Sequence, residues 1–291
     1  MRNASFLILG GDARQLYLAD CLCANHYNVK LYGFTDDNRK NVINTEKELE
    51  TALRESTVKV FPLPISRDGD NLNAPLSDKK TPLAPLLCEL KKNDIVFGGM
   101  IPGEIRTSLL RRGIYCGDYY ESEYLQTLNA VPTAEGIIKI LIEALPITLH
   151  GMSCAITGFG KTAKAAASAL YALGAKITVF ARNEVSIAQA RCMGFEAHGT
   201  DSLSSEPQSF DALINTVPAM LLGEKQLDNL DTDTLIIEIA SAPFGINFDA
   251  AHKRGIRVIK APSLPGSVAP KTTGEIICAT ILEMIGSEHL W

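Results

Sequence analysis

At 291 residues the chain is long enough for two domains with cores of their own. Its 46% hydrophobic and 21% charged residues suit a globular protein, and a net charge of −5 leaves no basic footprint for nucleic acid. No apolar run reaches the length of a membrane span, the N-terminal run is too short for a signal peptide, the five histidines show no metal spacing, and the seven cysteines, without a C-x-x-C pair, read as reduced thiols of a cytoplasmic protein.

Residues 5–9 are predicted as the first strand. Gly10-Gly11-Asp12-Ala13-Arg14-Gln15 follows as a glycine turn into a helix that runs to about Asn25, and 29–34 is the next strand. A polar loop at 35–41 precedes a charged helix around 46–55, and 58–63 is a third strand ended by Pro64. The stretch 66–82 is rich in turn formers and reads as a long exposed loop, either a lid over a cleft or a bland excursion. A helix at 83–91, a strand at 95–97, a helix at 104–111 and a strand at 114–116 continue the alternation, which predicts a parallel α/β layer. The first glycine turn has Arg14 where a dinucleotide turn needs a small residue, and Asp12 where a phosphate would sit, so it is not read as a dinucleotide site. Arg14 either holds a substrate carboxylate in a bidentate pair or is a solvated side chain beside a helix-capping Asp12.

Pro132 suits the first turn of a helix over 133–145 that is apolar around a wide face, as expected between two domains, and Pro146 stops it. The second half then opens on Cys154-Ala155-Ile156-Thr157-Gly158-Phe159-Gly160-Lys161-Thr162-Ala163. This is a buried strand, a G-x-G-x-x-A turn and the start of a helix formed by strong helix formers up to Gly174. Gly158 allows the sharp turn, Gly160 lets a pyrophosphate approach the main chain, and Ala163 lets the helix lie close on the strand. The next strand ends Ala181-Arg182-Asn183. The acid that would bond the ribose of NAD is missing there, and the cation and donors favour the 2′-phosphate of NADP. Further on come a helix at 184–193, a short strand near Glu196, a Ser-rich loop at 202–209 and a strand at 212–215. Its end, Asn215-Thr216-Val217-Pro218, is expected to line the pyrophosphate and the ribose beside the nicotinamide. A helix at about 224–230 and a strand at 235–239 follow, and the tip Ala240-Ser241-Ala242-Pro243-Phe244-Gly245 should lie beside the nicotinamide. After a short helix at 248–254 and a last strand at 257–260, two prolines and a glycine predict an extended tail over 261–274. A helix at about 272–285 then returns to the first domain, and Lys271 is either in the cleft or a solvated N-terminal residue.

Taken together and in order, Gly10-Gly11-Asp12-Ala13-Arg14-Gln15, Asn129-x-x-Pro132-Thr133-x-Glu135-Gly136, Gly158-x-Gly160-Lys161-Thr162, Asn215-Thr216-x-Pro218 and Leu264-Pro265-Gly266-x-x-Ala269-Pro270-Lys271-Thr272-x-Gly274 resemble the dipicolinate synthase A subunits of spore-forming bacteria. The chain departs from that pattern in the longer 66–82 loop and in Ala163, where glycine is common. The resemblance implies a cytoplasmic oxidoreductase of the sporulating mother cell, in a branch of lysine biosynthesis. It would oxidise a dihydrodipicolinate-type ring to pyridine-2,6-dicarboxylate beside a flavoprotein-like B subunit; the residues at 181–183 add NADP as the cofactor, ahead of NAD, and an oligomer is expected. The alternative is a non-catalytic nucleotide-binding scaffold that presents substrate to that partner. Last ranks a 2-hydroxyacid dehydrogenase, because no histidine falls at the strand ends such chemistry uses.

The expected architecture is two Rossmann-like, doubly wound parallel-sheet domains with a cleft between them. The substrate domain covers 1–130 with about 272–291, an interdomain helix 131–150, and the NADP domain 151–271. The candidate site comprises Asp12, Glu135 and Lys271 for acid–base work, and Arg14, Ser241, Pro265 and Gly266 for the dicarboxylate. Gly158, Phe159, Gly160, Lys161, Thr162, Ala181, Arg182, Asn183, Thr216, Val217, Pro218 and Ala240 are assigned to the cofactor.

Overall fold

The structure is a computed structural model describing residues 4–35, the backbone of 43–44, and 48–290. The expected polar loop at 35–41, save Thr35, lies outside the described residues. Two compact units divide the chain: one runs to Leu128 and resumes at Ala269, the other is Asn129–Val268.

The first unit begins with β1 (Ser5–Leu9), α1 (Ala13–Ala24), β2 (Asn28–Tyr32), β3 (Ile43–Asn44), α2 (Leu49–Glu55) and β4 (Val58–Val60). It continues with α3 (Leu83–Cys88), β5 (Ile95–Gly98), α4 (Gly103–Arg111), β6 (Tyr115–Asp118) and the start of α5 (Glu123–Ala144). All strands are parallel, in the order β3-β2-β1-β4-β5-β6. Alternation along β1 decides which helices cover which face. Phe6 and Ile8 pack with Leu18 and Leu22 of α1, whereas Leu7 and Leu9 pack with Leu53 of α2, Leu86 of α3 and Leu109 of α4.

The second unit contains β7 (Ser153–Thr157), α6 (Lys161–Ala172), β8 (Lys176–Ala181), α7 (Glu184–Cys192), β9 (Glu196–Gly199) and α8 (Ser202–Ser205). Then come β10 (Ala212–Asn215), α9 (Glu224–Asp228), β11 (Leu235–Glu238), α10 (Phe248–Lys253), β12 (Val258–Lys260) and α11 (Leu264–Val268). Its strand order is β12-β11-β10-β7-β8-β9, again all parallel. Both sheets therefore show the order 3-2-1-4-5-6 of a doubly wound dinucleotide fold. Ile156 faces α5 and α6, while Ala155 faces the side covered by α9 and α10. The last helix, α12 (Pro270–Ser287), lies in the first unit and packs on α1, with Ile277 and Ile281 in the cluster of Leu18 and Leu22. A Cβ on Gly274 would fall 2.4 Å from the Arg14 carbonyl oxygen, so only glycine lets these helices approach so closely.

Two expectations are corrected. The helix at 133–145 in fact begins at Glu123 and runs through Pro132. Proline removes one helical N–H and the helix continues through it, with the Thr133 hydroxyl beside it donating to the Asn129 carbonyl at 2.7 Å. The 261–274 tail is not extended: Leu264–Val268 is helical and α12 starts at Pro270. Pro265 and Pro270 occupy first turns, where an N–H has no partner to lose.

Candidate nucleotide site and its closed counterpart

In a sheet of this order ligands gather where the strand order reverses, outside the carboxyl ends of the strands. In the second unit that point lies between β7 and β10. Gly158 has φ +82, and its N–H donates to the Phe180 carbonyl at 2.8 Å. A Cβ at Gly158 would sit 2.8 Å from Thr216 Oγ1 and 2.9 Å from Val217 Cγ2, so the turn after β7 touches the end of β10. Thr216 Oγ1 donates to the Thr157 carbonyl at 2.7 Å and holds that contact. Gly160 is the N-cap of α6 and supplies no side chain to its amides, and a Cβ there would meet nothing within 4 Å. Ala163 is fully buried beneath it. An open helix N-terminus whose approach is bounded by glycine fits a pyrophosphate.

The other residues expected at the cofactor divide by burial. Lys161 and Thr162 are half-buried in the first turn of α6, and Ala181 is buried at the end of β8. Phe159 points inward, 6% exposed and edge-on to Phe195, so only its backbone faces the turn. Arg182 is exposed and makes no ion pair among the described residues. Asn183 caps α7, its Oδ1 accepting from the Ser186 N–H at 2.8 Å. Thr216 and Val217 are half-buried, Pro218 is exposed, Ala240 is buried, and Ser241 is exposed just beyond it. Glu135 is exposed on α5, whose next residue, Gly136, lies against Leu264 of α11. Pro265 is buried in α11 and Gly266 is half-buried.

Three residues lie beneath this site, Thr157, Asn215 and Glu238, of which Asn215 belongs to the strand end expected at the cofactor and Glu238 has no role readable from sequence. They end adjacent strands and are buried, with Glu238 1% exposed. Burial raises the Glu238 carboxyl above its ordinary range, while hydrogen bonds from Asn215 and the Gly245 and Ala240 amides pull it back in part. The one available signal was a charged residue closing the otherwise apolar run Leu235-Ile236-Ile237-Glu238.

The first unit builds the same turn and fills it. Gly10 N–H donates to the Tyr32 carbonyl at 2.7 Å, matching the bond from Gly158 to Phe180. Here, however, Asp12 caps α1, with Oδ1 accepting from the Arg14 N–H at 3.0 Å. The Gly11 N–H donates to the Asn73 carbonyl at 2.8 Å, and the Thr35 N–H to the Leu76 carbonyl at 3.0 Å. The 66–82 loop thus lies on the first unit's own glycine turn. Arg14 is not solvated: it is 3% exposed, with Nε and Nη2 each 2.8 Å from an oxygen of Asp12 and Nη2 also 2.8 Å from the Leu63 carbonyl. Burial is the largest influence and works against its charge, but the bond to Asp12 and its charge, with Tyr119 and Tyr120, together raise its pKa. Asp12 and Arg14 are therefore brought together and bound to each other. Lys271 is exposed in the first turn of α12. Among the described residues no group of His, Cys, Asp and Glu could hold a metal ion, and no helix is long and apolar enough to cross a membrane.

Fold and turn define a two-unit α/β protein of the doubly wound, Rossmann type. Residues 5–120 match the family described as the N-terminal domain of the dipicolinate synthase A subunit. Over 281 residues the chain is 28% identical to the dipicolinate synthase A subunit of Bacillus subtilis (strain 168), covering 96% of this chain and 94% of that protein. The crystal structure of the dipicolinate synthase A subunit from Bacillus halodurans superposes with a TM-score of 0.88 at 27% identity, over 97% of this chain and 98% of that one. An L-alanine dehydrogenase shares the fold alone, with a TM-score of 0.62 at 15% identity over 96% and 88% of the two chains. The chain resembles the dipicolinate synthase A subunits over nearly its whole length.

Proposed function

We propose that this chain is the nucleotide-dependent oxidoreductase component of a dipicolinate synthase, with NADP held by its second unit. The observation that carries the reading is the contrast between the two glycine turns. The turn after β7 is uncapped and open at Gly160, whereas the turn after β1 is closed by Asp12 and Asn73. Gly158, Gly160, Lys161 and Thr162 would hold the pyrophosphate, with the Phe159 backbone between them. Ala181, Arg182 and Asn183 would meet the adenosine ribose and its 2′-phosphate, and Thr216, Val217, Pro218 and Ala240 the nicotinamide half.

When bound, the dinucleotide supplies a hydride acceptor. A dihydropyridine dicarboxylate that loses hydride and one proton becomes aromatic, so the protein's work is mainly to position the ring and accept the proton. Ser241, exposed beside Ala240, is the candidate for one substrate carboxylate, with Pro265 and Gly266 of α11 as supplements. Glu135 is the proposed base. Asp12 and Arg14 are engaged with one another and with the Leu63 carbonyl, and they are not proposed as substrate ligands. That pairing also favours the scaffold reading, in which the partner subunit supplies the chemistry.

The deciding experiment incubates the chain, alone and with its partner subunit, with freshly made dihydrodipicolinate and NADP. NADPH formed in step with dipicolinate by the chain alone is the expected result. Product that needs the partner and forms without NADPH would refute the oxidoreductase reading. Arg182→Asp should lower NADP affinity and spare NAD; unchanged NADP binding would remove Arg182 from the 2′-phosphate site.

A further inference from the structure

The carboxyl ends of β7, β10 and β11 carry Thr157, Asn215 and Glu238 in a single register row. Thr157 Oγ1 donates to Asn215 Oδ1 at 2.5 Å. Asn215 Nδ2 lies 2.8 Å from each oxygen of Glu238 and 3.1 Å from the Val217 carbonyl. The Ala240 N–H donates to Glu238 Oε1 at 2.9 Å, and the Gly245 N–H to Oε2 at 3.0 Å. Every one of these partners of the carboxylate is a donor. A proton on Glu238 would face a donor, so the ionised form is the one this cage satisfies. It does so without a cation among the described residues. Lys260 pairs with Glu238 in register, but its ammonium lies over the Phe248 ring, 3.8 Å from the centroid.

The row fixes two loops. One is 216–218, tied through the Val217 carbonyl and through its N–H, which reaches Asn215 Oδ1 at 3.3 Å. The other is 240–245, anchored at both ends by one carboxylate. A Cβ on Gly245 would lie 2.3 Å from Asn215 Nδ2, so glycine alone lets this loop close on the amide. With a pyrophosphate at the α6 N-terminus and adenosine toward β8, the nicotinamide half falls over the ends of β10 and β11, where both loops stand.

We propose that Glu238 is a positioning residue for the nicotinamide end of the dinucleotide, and that its uncompensated buried charge favours the oxidised, cationic nicotinamide over the reduced, neutral one. The proposal rests on the second unit being the dinucleotide site. A carboxylate screened by dipoles and removed from water projects its field further than an exposed one. It acts on the ring through the loops and through that field.

The test compares wild type with Glu238→Gln, as full chains, by calorimetric titration with NADP+, NADPH and adenosine 2′,5′-bisphosphate, which lacks the nicotinamide. The variant should bind the bisphosphate as wild type does and both dinucleotides more weakly, with NADP+ losing about tenfold more than NADPH. A purely structural role would not move the oxidised-to-reduced ratio. Glu238→Asp keeps the charge and shortens the reach, so it should weaken both dinucleotides equally. Equal loss of NADP+ and NADPH in Glu238→Gln overturns the charge effect, and unchanged affinity for both overturns the proposal. Should that variant lose the bisphosphate through misfolding, Thr157→Val removes only the bond to Asn215. It should weaken the dinucleotides alone, and unchanged binding there overturns the positioning role. Wild type that binds none of the three ligands refutes the nucleotide site itself, an outcome distinct from these.

Discussion

Replacing Gly160 with alanine adds one methyl group at φ −79 and ψ −170, a backbone conformation open to any residue. The new Cβ meets nothing within 4 Å, so the fold has no clash to relieve. Alanine restricts the unfolded chain, a gain of about 0.4–1 kcal/mol. It is also a poorer N-cap than glycine, a loss of about the same size. Stability should therefore stay within about 1 kcal/mol of wild type. Binding should not, because the methyl stands on the open side of the turn, where a pyrophosphate must approach the amides. One charge-assisted hydrogen bond lost costs about 1.5–3 kcal/mol. At about 1.4 kcal/mol per decade, that weakens NADP by roughly ten- to a hundredfold. Urea unfolding and calorimetric titration of the same preparation read both quantities. Full NADP affinity in a normally stable Gly160→Ala protein would refute the pyrophosphate assignment.

Gly158→Ala should behave in the opposite way. The left-handed conformation costs about 1–2 kcal/mol and the contacts with Thr216 and Val217 about 1–3 more, so its urea midpoint should fall clearly; an unchanged midpoint refutes the packing argument. Lys59 is fully buried in β4, with Nζ 2.6 Å from Asp94 Oδ1. Asp94→Ala strands that ammonium and should cost about 3–5 kcal/mol, while the double variant Lys59→Met/Asp94→Leu, which removes the pair whole, should be near neutral; equal losses in urea unfolding would contradict this. The raised carboxyl of Glu238 binds its proton more tightly in the folded than in the unfolded chain. Its contribution to stability is therefore fully present below the ordinary value of 4.5 and is lost as pH rises through the folded value. Glu238→Gln should flatten that decline in a pH series of unfolding curves, and parallel wild-type and variant curves would refute it.

Much of the scaffold was legible because local signals agreed with the global fold. The strands of both sheets are short apolar runs closed by glycine or polar residues, and the helices between them follow. The G-x-G-x-x-A turn was readable because each small residue answers a separate steric demand. Less visible was anything that depends on pairing across strands. Glu238 looks like any strand-end carboxylate until Asn215 and the 240–245 loop are placed around it. Pro132 reads as a helix start because proline suits a first turn, although the helix that contains it begins at Glu123. Arg14 and Asp12, two residues apart, gave no hint that the pair would be enclosed with the Leu63 carbonyl. The 66–82 loop could be recognised by composition, but not its resting place.

That resting place makes the first turn's occupant part of its own chain. Asn73 reaches Gly11, and Leu76 reaches Thr35, as tethered groups at a high local concentration that no dilution lowers. A free nucleotide competing there would have to displace a covalently attached rival whose contacts are already in place. Of two sheets wound alike, one is thereby withdrawn from nucleotide exchange, and the chain should take up one dinucleotide where its topology alone would offer two berths.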